Sequence, residues 1–237
     1  MTTRWSLVLQ AGLDGATDKD SKDALTELCR AYWYPLYGFV RRQGHNEEDA
    51  KDLIQSFFEN ILRKDAIKTV DPDKGRFRSY LLGSLKNHLV NQNRRANAIK
   101  RGGAIDCISI DTKEGERLLS NGSVETRDPE KLYHRNWAEA LLNQALNRLR
   151  EDHAKAGKHT LFEKLEPHLI ANDASGETRA EMAKQLGMTV GAIGNSLRRL
   201  RQRYGDLVRE AIADTVGDPR EVDEELQFLM AVLREQA

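Results

Sequence analysis

The chain has 237 residues, 39% of them apolar and 31% charged. That apolar share supports one or two folded domains and argues against a disordered chain. Lys and Arg together number 37, as do Asp and Glu, so bulk charge points to no polyanionic partner and only the local distribution of charge is informative.

The two cysteines, Cys29 and Cys107, lie far apart and outside any metal-ligand spacing. A reducing, cytoplasmic setting without a disulfide framework is expected. The apolar stretch within residues 1–12 is too short and interrupted for a signal peptide or a span, and nothing later reaches spanning length, so no membrane partner is expected.

Residues 1–20 read as an N-terminal segment. From 21 to 42, Leu25, Leu28, Tyr32, Leu36, Phe39 and Val40 fall at helical spacing. Pro35 predicts a kink or break near Tyr34, and Gly44 a stop. Asn46 can cap the next helix, with Glu47, Glu48 and Asp49 in its positive first turn. Leu53, Ile54, Phe57, Phe58, Ile61 and Leu62 then make one apolar stripe. After a turn with Pro72 and Gly75, a third helix begins near Arg76. Phe77, Leu81, Leu85, His88 and Leu89 share a face, and the helix runs to about Lys100, where Gly102 and Gly103 break it. These helices form a first domain over 21–102.

Residues 103–130 are polar, glycine-containing and net acidic, and read as a flexible linker. Asp128 and Pro129 then open a helix that Leu132, Ala138, Leu141, Leu142, Ala145, Leu146 and Leu149 carry to about Arg150. Further helices are predicted at 158–171, 179–187, 190–213 and 219–235, and no strand. The fold class is therefore all-α: two small helical domains joined by a linker, the second at 131–216, followed by a C-terminal amphipathic helix over 217–237. Its stripe of Val222, Leu226, Leu229, Met230 and Leu233 is expected to pack on the second domain.

The most specific local signal spans 178–203. Thr178 and Glu181 have capping-box spacing, Met182, Ala183 and Leu186 face inward, and Gly187 permits a left-handed turn. Thr189 can cap a second helix, buried through Ile193, Leu197 and Leu200. This predicts a helix-turn-helix whose second helix suits the major groove. Thr189, Val190, Asn195, Ser196, Arg198, Arg199, Arg201 and Arg203 are its candidate contacts to phosphates and base edges. An ordinary helical hairpin with a solvated basic face is the alternative.

A second basic stretch, 74–101, contains no Asp or Glu. Arg78, Lys86, Arg94 and Arg95 can neutralise phosphates there, and Asn87 and Asn91 can read base edges. Tyr80 either stacks on an unpaired base or belongs to the interior. The helix over 46–62 is acidic outside and aromatic inside, which fits a basic partner or a merely solvated face. The six histidines share no ligand spacing, and no phosphate-binding glycine loop or nucleophile elbow is present. No metal, cofactor, catalytic residue or small-molecule substrate is expected.

These residues resemble the group-four, extracytoplasmic-function (ECF) sigma factors of bacterial RNA polymerase. Tyr34-Pro35-Leu36-Tyr37, Asp52-Leu53-Ile54-Gln55-Ser56-Phe57-Phe58, Phe77-Arg78-Ser79-Tyr80-Leu81, Asn87 and Arg94-Arg95 are similar to that family's second conserved region. Glu181-Met182-Ala183-Lys184-Gln185-Leu186-Gly187 through residue 203 is similar to its fourth. Tyr80 stands where the family often has tryptophan, the linker is long, and 217–237 lies beyond the usual endpoint.

The resemblance implies a factor without catalysis of its own. Asp49, Asp52, Leu53, Gln55, Ser56 and Phe57 would dock on core RNA polymerase. Arg78, Tyr80, Lys86, Asn87, Asn91, Arg94 and Arg95 would meet and help melt the minus-ten element, and the helix from Thr189 would read the minus-thirty-five element. Promoter DNA is thus a partner, and an anti-sigma or other regulatory protein is a further one that the resemblance admits. The rival readings are a helix-turn-helix regulator acting without polymerase and a helical adaptor that binds no DNA.

Overall fold

The computed structural model describes residues 19–62, 76–96, 128–169 and 178–235. Among them are eight α-helices, two 3-10 turns and no strand, apart from one isolated antiparallel bridge between Arg76 and Val216. The protein is all-α, as its periodicity predicts. Most of the N-terminal segment, the turn at Pro72 and Gly75, the break at Gly102 and Gly103, and the linker up to residue 127 lie outside the described residues.

Two compact units emerge, one of Met1–Ala140 with Ile212–Ala237, the other of Leu141–Ala211. Residues 131–140 and 212–216, expected in the second domain, therefore group with the first unit.

In the first unit, α1 (Lys19–Arg42) runs through Pro35 without the predicted break. A proline inside a helix costs about 3 kcal/mol through the lost amide and the clash with the carbonyl four residues back. Tyr32, Trp33, Leu36, Tyr37, Phe39 and Val40 are all buried around it. At about 1.5–3 kcal/mol for each buried apolar side chain, this packing outweighs the proline. Gly44 then adopts φ 97°, a left-handed turn that favours glycine.

Asn46 caps α2 (Glu47–Leu62) by accepting from the Asp49 amide at 2.8 Å, while its own side-chain amide donates to the Asp49 carboxylate at 2.8 Å. Ile54, Phe57, Phe58 and Ile61 bury the predicted stripe. Phe77, Leu81, Leu82, Leu85 and Leu89 are the inner face of α3 (Phe77–Ala96), and the Phe77 ring meets Tyr32 edge-on at 5.0 Å.

Asp128 caps α4 (Pro129–Lys155) by accepting from the Glu130 amide at 2.9 Å. The first part of this helix buries Tyr133 and Trp137 in the first unit. Trp137 Nε1 donates to the Tyr32 hydroxyl, and the Tyr133 hydroxyl donates to the Arg78 carbonyl, both at 2.9 Å. These bonds satisfy aromatic polar tips that would otherwise be stranded in the interior.

The chain closes this unit from its C-terminal end. The Phe77 amide donates to the Thr215 carbonyl at 3.0 Å, and a 3-10 turn at Pro219–Glu221 leads into the C-terminal helix, Val222–Arg234. That helix groups with the first unit, where its Phe228 meets the rings of His134 and Trp137, residues expected in the second domain. Met230, predicted in its buried stripe, is exposed, whereas Leu229 and Glu225 are buried.

The second unit holds the rest of α4 together with α5 (His159–Leu165), α6 (Arg179–Gln185) and α7 (Val190–Ala213), the last up to Ala211. Helix α4 ends five residues later than expected, near Gly157 at φ 67°. Helix α5 is shorter than predicted: Pro167, which lacks an amide, sits in a 3-10 turn at Glu166–His168 that follows it. Leu141, Ala145, Leu149, Phe162, Leu165, Met182, Ala183, Ile193, Leu197 and Leu200 are buried here. The C-terminal helix is α8.

Candidate nucleic-acid interface

In the second unit, local chemistry builds the segment singled out at 178–203. The Thr178 hydroxyl accepts from the Glu181 amide, and the Glu181 carboxylate accepts from the Thr178 amide at 2.7 Å, so the capping box is complete. Those bonds hold the Glu181 carboxyl below its usual range. Gly187 turns at φ 63°, and Thr189 Oγ1 accepts from the Ala192 amide at 3.2 Å to cap α7. Ala183 on α6 and Ile193 on α7 are both buried.

On α7, Val190, Gly191, Asn195, Arg198, Arg199 and Gln202 are exposed. Their three- and four-residue spacing places them along one face. Thr189 is exposed at the cap, and Ser196 is half-buried beside the face. Two predicted contacts are placed differently. Arg201 donates to the carbonyls of His168 at 2.7 Å and Leu169 at 3.0 Å, fastening α7 to the end of the α5 segment. Arg203 pairs with Glu210 at 3.0 Å and Asp152 at 3.2 Å. Both guanidiniums brace the second unit, because backbone oxygens and carboxylates lie within reach of their long stems.

In the first unit, Ser79, Gly83, Asn87, Val90, Asn91 and Arg94 are exposed. Steps of three and four residues line them along one side of α3. Lys86 flanks this stripe, with Nζ 2.6 Å from Glu130 Oε1. Tyr80 is half-buried, 6.4 Å from the Phe77 ring centroid, and burial raises its hydroxyl pKa. The side chain of Arg95 lies outside the described residues.

Arg78 departs most from expectation: only 5% of it is exposed. Its Nε and Nη2 grip the two oxygens of Glu225, and its guanidinium lies 3.8 Å from the Phe228 ring centroid and 5.4 Å from that of Trp137. It points into the unit because a carboxylate and two aromatic faces meet it there. Sequence reasoning missed Glu225. Its signal was present: it lies three residues after Val222 and four before Leu229, an acidic residue on an apolar face, which calls for a buried cation.

On α2, Glu47, Glu48, Asp49 and Asp52 are exposed and give the outer face its acidity. Leu53 and Gln55 are half-buried. Phe57 is interior, so it shapes the helix face from behind rather than offering surface. The Ser56 hydroxyl donates to the Leu53 carbonyl at 3.1 Å and lies 3.0 Å from His88 Nε2. It is engaged within the unit, joining α2 to α3.

No helix among the described residues is long and apolar enough to cross a membrane. Nor do the described residues contain a group of three or more His, Cys, Asp or Glu that could hold a metal ion. Residues 28–99 match the family model described as Sigma-70 region 2. No curated protein and no solved structure gives a significant match.

Proposed function

We propose that the chain is a cytoplasmic sigma factor of the ECF, group-four type, which binds core RNA polymerase and directs it to promoter DNA without chemistry of its own. The match over 28–99 carries this reading. The acidic face of α2, which includes the exposed Asp49 and Asp52, docks on a basic surface of the polymerase, steered by charge complementarity. The α3 stripe of Asn87, Asn91 and Arg94, flanked by Lys86 and Tyr80, meets the minus-ten element and captures unpaired bases.

The second unit reads the upstream element as a helix-turn-helix. Thr189 and Val190 at the start of α7, with Asn195, Ser196, Arg198 and Arg199, face the major groove. Arg201 and Arg203 serve this surface indirectly, by holding α7 in place. Two tethered units, each binding DNA weakly, raise effective concentration at a promoter without trapping the free chain on random sequence. An anti-sigma or other regulatory protein is a natural further partner.

Reconstitution with core polymerase and run-off transcription from genomic fragments tests the proposal. Discrete transcripts that require the chain are expected. Equal DNA binding with and without core polymerase, and no new transcript, would instead indicate a regulator that acts alone.

A further inference from the structure

Three cations of the basic stretch 74–101 meet carboxylates from elsewhere in the first unit. Arg76 Nη2 lies 2.7 Å from Glu224 Oε2, and its Nε lies 3.3 Å from Glu225 Oε2. Arg78 holds Glu225 through both Nε and Nη2. Lys86 Nζ lies 2.6 Å from Glu130 Oε1. The carboxylates sit in the first turns of α4 and α8, where the helix dipole favours negative charge.

Isolated surface ion pairs contribute little. This set differs in three respects. All three cations come from one segment that has no acidic residue of its own. Their partners lie 44 to 148 residues away along the chain. And Glu225 is fully buried, so α8 is seated by its fit to the arginines rather than resting loosely on them. A carboxylate on a guanidinium fork occupies the same donors that a phosphate oxygen would take.

We propose that the first turns of α4 and α8 stand in for DNA phosphates in the free chain, forming an autoinhibitory contact that lowers its affinity for nucleic acid. This rests on the reading that α3 faces promoter DNA. Docked α8 holds Arg78 away from solvent and pairs with the half-buried Arg76, and Glu130 neutralises Lys86 at the edge of the exposed stripe. Binding-competent molecules are those in which these carboxylates have yielded to phosphates, so apparent affinity falls by the fraction still docked.

The test uses the full chain and a short mixed-sequence duplex, with binding followed by fluorescence anisotropy from about 50 to 200 mM salt. The double variant Glu130→Gln with Glu224→Gln removes two exposed carboxylates and should melt like the parent. It is expected to bind severalfold tighter at the low-salt end, with a log–log salt slope steeper by about 0.9 for each cation freed. Glu235→Gln, which breaks the Lys131 pair outside the basic stretch, is expected to change neither quantity. Glu225→Gln should give the largest gain in affinity, with faster hydrogen exchange along α8. A folded double variant with unchanged affinity and slope overturns the proposal while leaving the sigma-factor reading intact. A parent chain that fails to load core polymerase on any promoter removes that reading, and this proposal with it.

Discussion

Replacing Arg78 with alanine tests whether α8 is part of the first unit's interior. Arg78 is 5% exposed and Glu225 not exposed at all. Removing one member of a buried ion pair costs about 3–5 kcal/mol, because the remaining charge is left in a dry site. Arg76 Nε, 3.3 Å from Glu225, would recover part of that. Losing the guanidinium over Phe228, at 3.8 Å, would add about 1 kcal/mol. The net expectation is destabilisation of about 3 kcal/mol, a large share of a domain's stability. Urea unfolding followed by tryptophan fluorescence reports it, since Trp33 and Trp137 are both buried in this unit. The double variant Arg78→Met with Glu225→Leu should recover most of the loss, since apolar replacement of a buried pair is often near neutral. An Arg78→Ala chain within about 0.5 kcal/mol of the parent would refute the reasoning. So would a double variant whose loss equals the sum of the two single ones.

Gly83→Ala should stabilise the chain by up to about 1 kcal/mol in a thermal melt, because the site is mid-helix, exposed and open to a Cβ; a lower melting temperature would contradict the open site. Gly187→Ala should cost about 1–2 kcal/mol in the second unit's unfolding, since φ 63° disfavours any Cβ even though none would collide; no loss would mean that the turn relaxes. His134 Nδ1 is buried without a hydrogen-bond partner, and burial, then the Arg78 charge, hold its pKa down to about 4 from the usual 6.5. The unfolded histidine takes a proton below about 6.5 and the folded one only near 4, so the stability it contributes is complete above that window and falls as pH drops through it. The ring is part-exposed and therefore screened, so the loss is about 1–2 kcal/mol. Urea midpoints at neutral and acidic pH should diverge less in His134→Phe than in the parent, and an identical pH dependence would rule the histidine out as its source.

Much of the architecture is legible because it is local. Asn46, Asp128, Thr178 and Thr189 each cap a helix through backbone amides within three residues, and Gly44 and Gly187 turn the chain through their own φ angles. Spacing alone suffices for such features. Pro35 does not break α1, because its cost is local while the burial of Tyr32, Trp33, Leu36, Tyr37, Phe39 and Val40 that outweighs it draws on partners distant in sequence, such as Phe77 and Trp137. The site shows the same divide. Arg94, Arg198 and Arg199 lie on exposed faces that periodicity can place. Arg78 and Arg201 resemble them in sequence, yet they turn inward to Glu225 and to the carbonyls of His168 and Leu169. A partner 147 residues away leaves no mark on the periodicity around Arg78.

Footprinting of one mapped promoter, with core polymerase present, tests the central claim most directly. The parent chain should protect two separated elements, Arg94→Ala should weaken protection of the downstream one, and Arg199→Ala that of the upstream one, with polymerase binding retained in both variants. Protection of a single palindromic site by the chain alone, unchanged when polymerase is added, would contradict the account.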